Sequence, residues 1–247
     1  MCVGRVTGKA RHDRRKAQIM TLLQDKIQRI GGMRRMIADK MMQSLQSTAQ
    51  LSFHAECDAT SLFTTRNRLK KEGLQVGVED LVIVALASTL RSHPEINGHI
   101  VEKEIRWRAS VNISIAIALP DGLVAPTLFD CQDLSLAELS GKRRSLIDRA
   151  FNHTLSVSEM ADGTITISNM GSTRVQYFTP VLNAPQLAII GLGRAERRPV
   201  VVESEIMVRP ILPISLTVDH RVIDGDPAGR FLSSFCEALE CIDRETA

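Results

Sequence analysis

Apolar positions along the chain recur at two periods, one helical and one extended, and the switches between them outline the elements. In AQIMTLLQDKIQRI, Ile19, Leu23, Ile27 and Ile30 form one stripe of a short helix, closed by Gly31 and Gly32. MRRMIADKMMQSLQS repeats the helical stripe through Met33, Ile37, Met41 and Leu45, with basic residues on the other face. Its methionines are expected to pack rather than to bind metal. LSFHAECDA then predicts a strand, TSLFTTRNRLKKEG a helix stopped by Gly73, and EDLVIVALASTLRSH a largely buried helix.

In ASVNISIAIALPDGLVAPTL, the residues Val111, Ile113, Ile115, Ile117 and Leu119 alternate at the strand period, and PDG signals a turn into a second extended run. Ser135 and Glu138 of SLAE form a capping box for a helix through Leu139, Leu146, Ile147 and Ala150. GTITISNMG, QLAIIGLGRA, VVESEIMVRP and ILPISLTVD read as strands. A final helix carries Phe231, Phe235 and Leu239 on one face, with Asp226 expected as its cap and Pro227 in its first turn. Irregularly mixed helices and strands, with strands grouped late, predict an α+β fold of mixed α/β layers. GLGRAE lacks the third glycine and following helix of a dinucleotide loop.

Composition narrows this picture. An apolar content of 44% over 247 residues supports a substantial core in one large domain, or one domain with an appendage. No apolar run reaches membrane-spanning length, and MCVGRVTGKARHDRRKAQ lacks the apolar stretch of a secretory signal, so a cytoplasmic location without membrane association is expected. The five cysteines are scattered and lack paired CxxC spacing, which predicts reduced, mostly buried thiols and no metal site. The net charge of +3 conceals a basic front end: residues 1–35 carry +8 and the remainder −5. Without interleaved aromatic residues such an arm is a solvated linker rather than a nucleic-acid grip. Residues 1–31 are accordingly read as a basic extension or linker remnant and 32–247 as the main folded domain.

Among six histidines, His220 stands apart. The strand ILPISLTV delivers it to a strand end, DG turns the chain four residues on, and a helix anchors the far side. An imidazole fixed in this way can take a proton from a thiol or hydroxyl and return it. Taken alone, a structural turn histidine fits these residues as well as a catalytic base does.

The surroundings change the balance. DHRVIDG resembles the signature of the dihydrolipoamide acyltransferase core of 2-oxo acid dehydrogenase complexes, a family related in fold to chloramphenicol acetyltransferase. MRRMIADKM, HPEINGHI, VNISIAIALPDGLVAPTL, DLSLAELS, GTITISNMG and FTPVLNAPQLAIIGLGRA follow in the family's order, from about Met33 to Ile242. The resemblance implies that His220 is the general base, that Asp224 is the acidic residue of its motif, and that Ser168 donates a hydroxyl to the oxyanion. Arg34 matches a basic position expected to pair with Asp224.

It further implies acyl transfer, acetyl by default, between dihydrolipoamide and coenzyme A without a metal. The active sites would lie between subunits of a homotrimer, with lipoyl-domain and dehydrogenase partners. No lipoyl-bearing domain precedes the catalytic region in this sequence, so the lipoyl group is expected in trans or on a part of the protein beyond this sequence. VGRVTGK resembles the end of a peripheral-subunit-binding domain. The polar ending LECIDRETA predicts a trimer rather than a larger cage. Two other readings stay open: a stand-alone coenzyme A-dependent acyltransferase with another acceptor, and a non-catalytic scaffold of the same fold.

Overall fold

The computed structural model describes residues 27, 29–120 and 122–245. The first predicted helix falls almost wholly outside them; only Ile27, Arg29 and Ile30 are described, and none is helical. The helices are α1 (Gly32–Ser47), α2 (Thr60–Lys71), α3 (Val78–Ser92), α4 (Leu136–Phe151), α5 (Gly225–Glu240) and the short α6 (Ile242–Glu245). The strands are β1 (Gln50–Asp58), β2 (Gly98–Val101), β3 (Glu104–Trp107), β4 (Ile113–Leu119), β5 (Gly122–Val124), β6 (Thr127–Leu128), β7 (Ile165–Asn169), β8 (Ala188–Leu192), β9 (Glu196–Val202) and β10 (Glu205–Asp219).

One sheet runs in the order β1-β10-β8-β7-β4-β5, with β6 also on β4 and β9 on β10; β2 and β3 form a separate hairpin. The β4–β7 and β7–β8 pairs are parallel and the others antiparallel, so the sheet is mixed, as the α+β reading expects. Alternation decides its two faces. Cys57, Ile113, Ile115, Ile165, Ile167, Ile190, Ile214 and Leu216 point into the core, against the buried faces of α2 to α5. Phe231 and Phe235, fully buried on α5, lie with their rings stacked 6.4 Å apart. The other face carries Ser52, His54, Thr166, Ser168, Ser215 and Thr217.

Local signals hold in several places. Ser135 Oγ accepts from the Glu138 N–H, and the Glu138 carboxylate accepts from the Ser135 N–H at 3.0 Å, closing the expected capping box. Gly73 ends α2 with φ of +91°, a left-handed value that suits glycine.

Other expectations are corrected. VVESEIMVRP is a hairpin whose turn, Glu203 and Ser204, has positive φ at both residues, a backbone state usually signalled by glycine or asparagine. β10 then runs unbroken through Pro210 and Pro213. The prolines fit because each sits where β10 changes partner: the Pro210 carbonyl accepts from Ala59 just past the β1 ladder. The Pro213 carbonyl accepts from Gly193 in the gap between β8 and β9, so no ladder bond needs either missing N–H.

The cap of α5 is Asp224, not Asp226, which instead pairs with Arg230 one turn on. In α1 the buried position is Ser44, whose hydroxyl donates to Leu182 O at 2.6 Å, whereas Leu45 is 49% exposed. The helix lies over β5, with Ile37 and Met33 against Gly122, rather than on the main core.

Candidate active site

His220 follows the last residue of β10, and the chain there is held from both sides. Its backbone N–H donates to Ala49 O at 2.7 Å, and the N–H groups of Val222 and Ile223 both donate to Asp219 O at 3.0 Å. The Asp219 side chain is fully buried and accepts from the N–H of Ala49 at 3.2 Å, from Arg221 N–H at 3.1 Å and from the Arg221 guanidinium at 2.5 to 3.0 Å. Burial opposes ionisation of this carboxyl. The Arg221 guanidinium and the two backbone donors outweigh it and hold the pKa below the usual aspartate value. The turn carrying the imidazole is thus fastened by a buried charge-assisted cluster immediately before it.

Asp224 Oδ1 lies 3.5 Å from His220 Nδ1, and both side chains remain accessible, at 83% and 43%. The acid faces one ring nitrogen and leaves Nε2 for a substrate. Arg34 does not meet it among the described residues of the chain. It is exposed on α1 and makes no ion pair among the described residues.

Ser168 lies on β7, half-buried, and its hydroxyl has no hydrogen-bond partner among the described residues. It lines a cavity of about 370 Å³ together with Lys40, Thr166, Phe178, Asn183 and Ile189. The cavity floor is fixed by a buried network: Thr166 Oγ1 donates to Gln186 Oε1 at 2.5 Å and accepts from Asn183 Nδ2 at 3.3 Å, and Gln186 Nε2 donates to Gly163 O at 2.9 Å. Gly191 permits the wall. A Cβ there would stand 2.8 Å from Phe178 Cζ, so only a hydrogen lets the ring lie on the sheet beside Ser168.

The register places Ser168 level with Gly191 and Ser215, two strands across from His220's own strand and several residues short of its end. At roughly 4.8 Å between strands and 3.3 Å per residue, this puts Ser168 and His220 roughly 15 to 20 Å apart within one chain. The structure therefore brings His220 and Asp224 together and keeps Ser168 apart. Pattern reading missed Asp219 and Arg221, although DHR flanks His220 in sequence. It also missed Lys40, Phe178 and Asn183, which meet Ser168 only through tertiary packing.

Comparison with known proteins accounts for this arrangement of elements. The model of the 2-oxoacid dehydrogenases acyltransferase (catalytic domain) family matches residues 23–245. A dihydrolipoyllysine-residue acetyltransferase component of the pyruvate dehydrogenase complex from Corynebacterium glutamicum is 35% identical, over 88% of this chain and 34% of that protein. A dihydrolipoyllysine-residue succinyltransferase component of the 2-oxoglutarate dehydrogenase complex from Haemophilus influenzae is 32% identical, over 84% of this chain and 52% of that protein. The chain thus spans about a third to a half of these relatives.

Among solved structures, a probable dihydrolipoamide acetyltransferase from Listeria monocytogenes superposes with a TM-score of 0.85 at 32% identity, covering 91% of this chain and 98% of that one. The dihydrolipoamide acetyltransferase of Azotobacter vinelandii, studied for the roles of one serine, one histidine and one asparagine in its catalytic mechanism, gives 0.82 at 26%, covering 90% and 95%. Chloramphenicol acetyltransferase, at 18% identity and a TM-score of 0.53 over 88% and 98%, shares the fold. The match over nearly the whole described chain, at this identity, makes the protein a member of the 2-oxoacid dehydrogenase acyltransferase catalytic-domain family.

Proposed function

We propose that the chain transfers an acyl group between dihydrolipoamide and coenzyme A, with His220 as general base, Asp224 facing its Nδ1 and Ser168 as oxyanion donor. The observation that carries this reading is the rigidly mounted His220, with Nε2 free, in a chain whose Ser168 hydroxyl is also free beside a ligand-sized cavity. The Azotobacter vinelandii enzyme supports the residue choice. Its serine precedes its histidine by as many residues as Ser168 precedes His220, and its asparagine follows at the offset held here by Asp224.

A thiol near pKa 8.5 is mostly protonated at neutral pH, whereas the thiolate is the nucleophile. His220 Nε2 removes the proton as sulfur attacks the thioester carbonyl carbon. The carbonyl oxygen becomes an oxyanion that accepts from Ser168 Oγ. Collapse expels the other thiolate, and the imidazolium returns its proton to it. Asp224 stabilises that imidazolium transiently, through a pair modest in strength because both groups are solvated.

With Ser168 and His220 on separate parts of one chain, the reading places each site between two copies, His220 from one and Ser168 from its neighbour, in a homotrimer. The lipoyl group would come from a lipoyl domain in trans, alongside dehydrogenase partners, and the assembly is assigned to the cytoplasm. Among the described residues no helix is long and apolar enough to cross a membrane.

Acetyl transfer from acetyl-CoA to free dihydrolipoamide tests the chemistry: His220→Ala loses the activity, and equal rates in wild type and variant would remove the base. An equimolar mixture of His220→Ala and Ser168→Ala subunits, denatured and refolded together, tests the sharing. Shared sites return about a quarter of wild-type activity by random assortment, whereas sites confined to one chain return none.

A further inference from the structure

The cavity beside Ser168 is walled mainly by apolar groups, among them Ile37, Leu123, Phe178 and Ile189, and one cation enters it, Lys40 of α1. Among the described residues no carboxylate lines the cavity and Lys40 makes no ion pair; Asp39, its neighbour in sequence, is turned to Arg35 at 3.7 Å. Lys40 stays accessible at the mouth, yet the surrounding atoms displace enough water for burial to lower its pKa. An ammonium held in this way gains from an anion that arrives with the substrate and brings its own charge into the apolar wall.

We propose that Lys40 receives the free carboxylate of a dicarboxylic acyl group while Ser168 receives its thioester oxygen, so that the preferred acyl donor is of the succinyl class rather than acetyl. This rests on the acyl-transfer reading above. The relatives leave the choice open, since an acetyltransferase and a succinyltransferase stand at 35% and 32% identity. The cavity favours the carboxylate over the phosphates of coenzyme A. One ammonium among apolar side chains matches a single charge on a short chain, whereas several phosphates call for a cluster of cations. The volume of about 370 Å³ leaves room for a four-carbon acyl chain beside the reacting sulfur.

The test measures kcat and KM with succinyl-CoA and acetyl-CoA, each with dihydrolipoamide, for wild type, Lys40→Met and Lys40→Arg. Wild type favours succinyl-CoA in kcat/KM. Lys40→Met lowers the succinyl-to-acetyl ratio about tenfold, chiefly through KM, and Lys40→Arg keeps most of it. As a readout independent of turnover, succinyl-CoA raises the melting midpoint of wild type more than acetyl-CoA does, and Lys40→Met abolishes that difference.

A wild type that transfers acetyl but rejects succinyl would overturn the assignment of Lys40 and leave acyl transfer standing. Equal proportional losses with both donors in Lys40→Met would also overturn it, by moving Lys40 to the shared coenzyme A moiety. Failure of both donors would strike the acyl-transfer reading itself, and the melting comparison would still decide whether Lys40 senses the carboxylate.

Discussion

Asp219→Asn is a change of one atom at the residue before the proposed base, and its effect can be worked from the contacts. The carboxylate accepts two backbone N–H groups and both arms of the Arg221 guanidinium. An amide keeps one oxygen for these donors and turns an NH2 toward the guanidinium, so one charge-assisted bond is lost and a donor meets a donor. Breaking a fully buried pair costs about 3 to 5 kcal/mol. Arg221 is 39% exposed and can recover water, which brings the expected cost to about 2 to 3 kcal/mol.

For a chain of this size that lowers Tm by roughly 5 to 10 °C. Loosening the turn also lets His220 move, and a displacement of about 1 Å costs on the order of 100-fold in rate. The fall should appear in kcat with KM little changed, since the substrate contacts survive. The pH dependence has a definite sign. The folded pKa of Asp219 lies below the unfolded value of about 3.9, so its stabilisation is complete above that value and is lost as pH falls through the folded one. The stability gap between wild type and Asp219→Asn, read by urea titration, should therefore be full at pH 7 and close in strong acid. A variant with wild-type kcat and an unchanged urea midpoint at pH 7 would refute the view that this cluster mounts the histidine.

Two further outcomes follow from packing. Gly193→Ala would set a Cβ 1.8 Å from Gln176 O, a backbone atom with little freedom to yield, and should cost on the order of 3 kcal/mol; an unchanged thermal midpoint would deny that close approach. Burial raises the Cys131 thiol to about 11, and the hydrogen bond that the Cys57 thiol donates to Cys236, with burial, raises Cys57 well above the ordinary range. In a Cys2→Ser background at pH 8, Cys241 should react promptly with an aromatic disulfide reagent, and Cys57, Cys131 and Cys236 only on unfolding. Two prompt thiols would contradict the burial.

What pattern reading recovered was what local chemistry controls. β4 and β7 alternate large apolar residues with small or polar ones because one face meets the apolar core and the other a polar network through Ser114 and Thr166, and Ser135 with Glu138 announces a helix start within four residues. His220 was recognisable because strand, turn and helix all lie within its neighbourhood in sequence. The hairpin turn at Glu203 and Ser204 escaped because neither residue advertises a positive φ, and the β2–β3 hairpin because its strands are only four residues each. VVESEIMVRP and ILPISLTVD read as two strands, and only the three-dimensional arrangement reveals that EIMVRP and ILPISLTVD are one strand along which β9, β1 and β8 change over. Lys40 was legible only as part of a basic helix face; its position over the cavity depends on α1 folding back across β5.

The distance between Ser168 and His220 has a kinetic meaning as well as a geometric one. In the proposed assembly a lone chain holds half of two different sites and a whole one of neither. Specific activity then becomes a function of protein concentration, falling on dilution as the assembly dissociates and returning as it reforms. Such a catalyst is switched by mass action: its expression level, as much as its substrate supply, sets how much of it works.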